Sequence, residues 1–143
     1  MSRYLLDVNL LIALIDPSHI QHDRVHAWFE TTGSEAWATC PLTEIGVLRV
    51  LSHARYPNAV GNPRKAAEFV AALRKAPGHE FWPDDLSIVG SDRVDPSRLL
   101  DSSQITDTYL LGLAAVHKGK LATLDRRLIA DAVIEGKQAL CVV

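Results

Sequence analysis

Four acidic residues stand at positions where an α/β protein could use them for chemistry. Asp7 and Asp125 each follow a short apolar run directly, whereas Glu44 and Asp107 each begin an apolar stripe in a helical pattern. Four carboxylates brought together would repel one another and would be partly protonated without a counter-charge. Mg²⁺ supplies such a charge, since it binds carboxylate oxygens, water and phosphate oxygens together. The four acids therefore favour metal-assisted chemistry at a phosphodiester.

Each acid also has an ordinary structural explanation. Asp7 or Asn9 could serve only as the N-cap of the helix that follows the first strand. Asp107 lies early in a helix, where the helix dipole favours an acid. An unpaired carboxylate on a core-facing stripe is costly, however, and Glu44 and Asp107 both lie on such stripes. Taken alone, Asp7 is better explained as a cap; the four acids together favour a metal ligand, with Asn9 sharing the capping role.

Strand and helix patterns alternate along the chain and would bring these acids to one place. Predicted strands cover 4–6, 36–39, 80–82, 120–124 and 139–143. Predicted helices cover 8–15, 18–32, 41–54, 62–75, 103–118 and 126–134, with Ser18 and Gln21 as a capping box. Residues 83–103 are predicted to be a loop with one short helical turn. This alternation predicts an α/β protein, a parallel sheet covered by helices on both faces, whose strand ends and helix starts share one edge.

Composition narrows the class of protein. The chain has 143 residues, 48% of them hydrophobic, and a formal net charge of −2, which argues against a DNA-binding module with a basic face. We expect one domain spanning 1–143. No apolar run reaches the length of a membrane span, and Asp7 and Asn9 interrupt any signal-peptide core. Cys40 and Cys141 are too few for a disulfide framework, so we expect a reduced, cytoplasmic protein without membrane association.

Three histidines form a second candidate site. His19, His22 and His26 have spacing that zinc could use on a helix. No cysteine or acid nearby completes a tetrahedral set, and no HExxH sequence is present. Ordinary surface and helix-start histidines are therefore the favoured interpretation.

The acidic positions and their neighbours resemble the four motifs of PIN-domain ribonucleases, and more closely those of the VapC toxins of bacterial toxin–antitoxin pairs. The resemblance rests on Leu-Leu-Asp7-Val-Asn9-Leu-Leu, Pro41-Leu-Thr43-Glu44 running on to Arg49, Ile105-Thr106-Asp107, and Ala-Thr123-Leu-Asp125-Arg-Arg. The resemblance covers essentially the whole chain in order. It implies a three-layer α/β/α sandwich with a five-stranded parallel sheet in the order 3-2-1-4-5.

The resemblance also implies an activity, which is Mg²⁺- or Mn²⁺-dependent cleavage of RNA by a toxin that a protein antitoxin neutralises. The catalytic acids it implies are Asp7, Glu44, Asp107 and Asp125, with Asp7, Asp107 and Asp125 as metal ligands. Supporting polar residues are Asn9, Thr106 and Thr123. Arg49 matches an arginine that could contact RNA or the antitoxin, although a surface salt bridge explains it equally well. The family also suggests a homodimer.

Two other functions remain open at the level of sequence. Asp7 could be the nucleophile of an aspartyl-phosphate phosphatase or phosphotransferase, but Asn9 stands where such an enzyme usually has a second aspartate, and no suitably placed lysine is evident. The chain could instead be a catalytically weak module that binds a partner. That function would leave the inward-facing acids unexplained.

Overall fold

Residues 2–143, the part of the chain that the computed structural model describes, contain five short strands and five α-helices joined by loops and short 3₁₀ turns. The strands are β1 (Tyr4–Leu6), β2 (Trp37–Thr39), β3 (His79–Phe81), β4 (Lys120–Thr123) and β5 (Leu140–Val142). The helices are α1 (Val8–Ile15), α2 (His22–Thr31), α3 (Pro41–Leu51), α4 (Pro63–Arg74) and α5 (Ile105–Val116).

The strands form one sheet in the order β3-β2-β1-β4-β5, and every neighbouring pair is parallel. The order 3-2-1-4-5 implied by the resemblance is confirmed. β1 is the central strand, because Tyr4 is in register with Trp37 of β2 and with Lys120 of β4. The carboxyl ends of all five strands therefore lie along one edge of the sheet, which we call the carboxyl edge.

The alternation of side chains along the central strands builds two separate cores. Leu5 and Leu121 pack with α5 on one face, whereas Leu6 and Ala122 pack with α1, α2, α3 and α4 on the other. Successive strand residues point to opposite faces, so one apolar run serves both layers. All four side chains are fully buried. The result is a three-layer α/β/α sandwich with β1 and β4 at its centre.

The predicted helix over residues 126–134 does not exist. The backbone N–H of Asp95 donates to the carbonyl of Ala132 at 2.8 Å, and the N–H of Ile134 donates to the carbonyl of Arg93 at 2.8 Å. Val94 and Val133 form an antiparallel bridge. Because this stretch pairs with residues distant in sequence, its backbone cannot make the bonds of a helix.

Smaller differences from the predictions lie at helix ends. The capping box of Ser18 and Gln21 is absent, since α2 begins at His22 and Gln21 makes no side-chain cap. α3 ends at Leu51 rather than near residue 54, and α5 covers a shorter range than predicted. The helical spacing of Ala66, Phe69, Val70 and Leu73 predicts one inner face for α4, but Phe69 is 43% exposed. The stretch predicted as a loop with one short turn contains the 3₁₀ turn Pro96–Arg98, and a second 3₁₀ turn, Ser102–Gln104, begins at its end.

Both cysteine thiols are free, with Cys40 buried behind the end of β2 and Cys141 half-buried in β5. Within residues 2–143, no helix has both the length and the apolar character needed to cross a membrane.

Candidate active site

Asp7 occupies the carboxyl edge immediately after the central strand. Its backbone is extended (φ −64°, ψ 158°), and it is the N-cap of α1. Oδ1 accepts a hydrogen bond from the Val8 N–H at 2.8 Å, and Oδ2 accepts one from the Thr123 hydroxyl at 2.7 Å. The residue is 7% exposed. Asp7 therefore caps the helix and also faces β4, so the two explanations of this acid do not exclude each other.

Thr123, the last residue of β4, joins the polar groups around Asp7. Its hydroxyl donates to Asp7 and accepts from the Asp125 N–H at 3.1 Å and from Asn9 Nδ2 at 3.2 Å. Asn9 Oδ1 accepts from the Leu124 N–H at 3.1 Å. Asn9 thus ties α1 to the loop after β4, and the expectation that it shares the capping of α1 is wrong. Thr123 has no exposed surface, whereas Asn9 and Asp125 are half-buried, so water reaches only the outer part of this network.

Three aspartates interact electrostatically at this edge. Burial, followed by the charges of Asp7 and Asp125, raises the pKa of Asp107 to about 6. Burial also raises the pKa of Asp7, against the opposing effect of hydrogen bonds from Thr123 and Val8, and Asp125 raises it further. In the described residues 2–143, no lysine, arginine or histidine forms an ion pair with any of the three. The aspartates thus form an uncompensated negative cluster.

Glu44 is held by a different set of partners. Its Oε2 accepts from the Thr39 hydroxyl at 2.7 Å, and Arg74 Nη1 lies 3.4 Å from the same oxygen. The Glu44 side chain is 20% exposed. Glu44 thus has a cation and a hydroxyl as partners, whereas the charges of Asp7 and Asp125 act on Asp107. The convergence of all four acids stays a prediction.

Arg49 lies at the exposed end of α3 and lines a cavity of about 530 Å³ that reaches Val8, the neighbour of Asp7. His53, Arg55 and Tyr56 line the same cavity. Arg49 forms no salt bridge with any of residues 2–143, which removes the surface ion pair as its explanation. An exposed cation in a cavity that reaches the residue after Asp7 suits an anionic ligand.

The remaining predicted residues lie outside this network. Thr106 is exposed on the first turn of α5. His22 Nδ1 lies 2.7 Å from the Ala13 carbonyl, His19 Nδ1 accepts from the Gln21 N–H, and His26 pairs with Glu30. These partners account for the histidines without a metal.

The aspartate cluster has the chemistry that a hard divalent cation needs. Within residues 2–143, no group of three or more His, Cys, Asp or Glu side chains lies close enough together to hold a metal ion. Mg²⁺ does not require one, because it commonly takes one or two carboxylates and retains several waters. Asp7, Asp107 and Asp125 offer oxygen donors whose mutual repulsion a cation would relieve, as the raised pKa of Asp107 indicates. These residues therefore fit such an ion.

Sequence patterns did not reveal the partners of Glu44. Thr39 lies in the predicted strand 36–39 and Arg74 in the predicted helix 62–75, and no sequence pattern links either residue to Glu44. The Nε2 atom of His79 lies 2.8 Å from the Thr39 hydroxyl, and no sequence pattern indicated that His79 belongs near the site. Arg74 and His79 are distant from Glu44 in sequence, so no local spacing could have found them.

The sequence matches one protein family and several proteins of known name. The family model for the PIN domain matches residues 4–133. Ribonuclease VapC44 of Mycobacterium tuberculosis is 40% identical over 131 residues, covering 92% of both chains. Ribonuclease VapC38 of the same organism is 42% identical over 122 residues, covering 85% of this chain and 84% of the relative.

Solved structures share the fold at low sequence identity. M. tuberculosis VapC20, described as a toxin that cleaves the sarcin–ricin loop, superposes with a TM-score of 0.58 at 12% identity, covering 92% of this chain and 97% of the other. VapBC2 from Rickettsia felis, bound to a DNA fragment from its promoter, superposes with a TM-score of 0.52 at 9% identity. The superposition covers 99% of this chain and 98% of the other. The fold, the aspartates at the carboxyl edge and the sequence relatives agree. This chain belongs to the PIN-domain family, among the VapC ribonucleases.

Proposed function

We propose that the protein is a Mg²⁺- or Mn²⁺-dependent endoribonuclease and the toxin of a type II toxin–antitoxin pair. The observation that carries this proposal is the uncompensated cluster of Asp7, Asp107 and Asp125 at the carboxyl edge. Ligands of open α/β sheets bind at this edge. The VapC relatives carry the name ribonuclease, which supports RNA as the substrate.

Asp7, Asp107 and Asp125 would hold the metal. When bound, a divalent ion supplies an activated water, an oriented phosphodiester and charge neutralisation at the leaving oxygen. Thr123 holds the Asp7 carboxylate by its hydrogen bond, and Asn9 fixes the loop that carries Asp125. Thr106, exposed beside Asp107, is available to RNA. The hydrogen bonds of Thr123 and Asn9 restrain Asp7 and the loop that carries Asp125 before a metal binds.

Glu44 has a separate role in this proposal. Its carboxylate, paired with Arg74 and Thr39, would orient the attacking water or bind the metal through water. Arg49 and the neighbouring cavity would receive the RNA backbone or a segment of the antitoxin. The expected products, which the resemblance implies, are a 5′-phosphate and a 3′-hydroxyl: water attacks the phosphorus, the P–O3′ bond breaks, and the 3′ oxygen leaves and takes up a proton.

The direct test is RNA cleavage by the purified protein with and without Mg²⁺ or Mn²⁺. Asp7→Asn should abolish cleavage while keeping the fold, because asparagine can still cap α1. Asp23→Asn, which removes an exposed acid from α2, is the matched control and should cleave normally. Mapping the RNA ends in cells would identify the target. Cleavage that survives Asp7→Asn, or that does not need a metal, would contradict the proposal.

Partners and location follow from the same proposal. R. felis VapBC2 was solved as a pair on DNA, which supports a protein antitoxin for this chain as well. We propose an antitoxin that covers the carboxyl edge, a homodimer of the toxin, and action in the cytoplasm. Co-expression with a cognate antitoxin should restore the growth that the toxin alone suppresses, and Asp7→Asn should be harmless alone. Equal toxicity of Asp7→Asn would instead point to partner binding as the harmful property.

The phosphatase alternative finds no support in the structure. Asn9 stands where such an enzyme would place its second aspartate. Its side chain is hydrogen-bonded to the Thr123 hydroxyl and to the Leu124 N–H. No lysine pairs with Asp7 within the described residues. Pulse-labelling with a phosphate donor should therefore trap no acyl-phosphate on Asp7.

A further inference from the structure

A line of hydrogen bonds leads from β3 to Glu44. His79 Nε2 lies 2.8 Å from Thr39 Oγ1, and Thr39 Oγ1 lies 2.7 Å from Glu44 Oε2. Thr39 is 1% exposed, so water does not compete for its hydroxyl. His79 begins β3 and packs its ring against Trp37, with 4.6 Å between ring centroids. Two neighbouring strands thus support a carboxylate on the helix that follows one of them.

The direction of each hydrogen bond follows from counting hydrogens. A hydroxyl has a single hydrogen and an ionised carboxylate can only accept, so the Thr39 hydrogen points to Glu44. The Thr39 oxygen must then accept from His79, which requires the proton of the imidazole to be on Nε2. The opposite tautomer would take the Thr39 hydrogen for itself and leave Glu44 without this donor.

The charges around His79 are consistent with a neutral ring. Burial, with the nearby Arg74 and Arg3, lowers the pKa of His79, while Glu44 and Glu80 act in the opposite direction. Arg74 also lies 5.1 Å above the ring of Phe81, so it is held between Phe81 and Glu44. Glu44 therefore has one fixed cation and one fixed hydroxyl donor.

We propose that His79 and Thr39 are positioning residues that orient Glu44, with His79 donating from Nε2 to Thr39 and Thr39 donating to Glu44. The inference rests on the proposed function, in which Glu44 acts on the attacking water or the metal. Neither residue touches the aspartates through any hydrogen bond among residues 2–143. Their effect on cleavage must therefore pass through Glu44.

A double-mutant cycle tests this dependence. Thr39→Val keeps the shape but removes the donor, and we expect kcat for a short RNA to fall about tenfold with KM unchanged. Thr39→Ser should restore most of the rate. In a Glu44→Ala background, Thr39→Val should have no further effect. Thr31→Val, the same change at an exposed site on α2, serves as the control.

His79 provides a second pair of variants. His79→Gln places an amide N–H near the position of Nε2 and should retain activity better than His79→Leu, which has no donor. An equal loss from Thr39→Val with and without Glu44 would overturn the proposal, as would no loss at all. Melting temperatures of all variants separate a loss of fold from a loss of rate.

An independent readout does not depend on activity. The ¹⁵N chemical shifts of the His79 ring at neutral pH should show a neutral imidazole protonated on Nε2. A ring protonated on Nδ1 alone would overturn the proposal, because Thr39 would then have to donate to His79. If the wild-type protein fails to cleave RNA in the presence of a metal, the proposed function fails, and the ring shifts still decide the hydrogen-bond relay.

Discussion

Among the clustered aspartates, Asp107 is the residue whose ionisation is most strongly disfavoured in the folded protein. Its pKa, raised to about 6 by burial and by Asp7 and Asp125, means that the folded protein holds this proton more tightly than the unfolded chain does. Ionised Asp107 therefore destabilises the metal-free fold above pH 6. As the pH falls from about 6 towards the usual aspartate value of about 4, this destabilisation disappears.

Asp107→Asn should accordingly stabilise the metal-free protein at neutral pH. The shift from about 3.9 to about 6 sets an upper limit near 3 kcal/mol, and solvent screening reduces the expected gain to about 1–2 kcal/mol. Urea unfolding at a series of pH values measures it. The gain should be full above pH 6 and absent near pH 4. Asp23→Asn is the control, and a gain that does not change with pH would contradict this account.

The loop between α3 and α4 is anchored by a buried acid at the end of α1. Asp16, 7% exposed, accepts from the Tyr56 hydroxyl, from Asn58 Nδ2 at 2.9 Å and from the Ser18 N–H at 2.9 Å. Burial alone would raise the pKa of Asp16, but these hydrogen bonds lower it overall. Tyr56 also lines the cavity that contains Arg49, so this anchor shapes the proposed RNA-binding side.

Tyr56→Phe should destabilise the fold by about 1–3 kcal/mol at pH 7, because a buried carboxylate loses a donor. Since the pKa of Asp16 is lowered in the folded state, this contribution is present above the unfolded pKa and is lost as the pH falls through the folded value. Urea unfolding at pH 7 and pH 3 should therefore show a smaller cost at pH 3. Tyr4→Phe is the control, since the Tyr4 hydroxyl has no hydrogen bond within the described residues. An equal cost at both pH values would contradict the role of Asp16.

α1 and α3 approach closely beside the candidate site. A Cβ added at Gly46 would lie 2.5 Å from Cγ2 of Val8, the residue that follows Asp7. Gly46→Ala should therefore separate the two helices and cost about 1–3 kcal/mol. Adding Val8→Ala should recover part of this loss, which chemical denaturation of both variants can measure. A neutral Gly46→Ala would show that Val8 can move aside freely.

The elements that could be predicted are those that depend on local patterns. The apolar run before Asp7, the proline at the start of α3 and the stripe of α5 each predicted an element that exists. The false helix over 126–134 shows the limit, since its backbone donors and acceptors are used by residues 93–95. Glu44 shows the same limit at the site: its helix was predicted correctly, but its partner Arg74 belongs to another helix.

For the whole molecule, a cation that binds the aspartate cluster should stabilise the fold. Because it would bind only the folded state, Mg²⁺ should raise the melting temperature with a saturable dependence on concentration, equivalent to about 2.7 kcal/mol at a hundred times the Kd. EDTA should reverse the effect. Asp7→Asn should weaken the response, whereas Asp23→Asn should leave it unchanged. A melting temperature that does not respond to Mg²⁺ would contradict a shared metal site.

The hydrogen bond between Thr123 and Asp7 also determines when activity can arise during folding. It joins residues that lie 116 positions apart, across the central pair of strands. A chain folded only as far as β3 would contain Asp7 and Glu44, but not Asp107, Thr123 or Asp125. Pairing of β4 with β1 brings the last two together with Asp7 in one step. The candidate site therefore forms only where β4 has paired with β1, and chains that lack this pairing should be unable to cleave RNA.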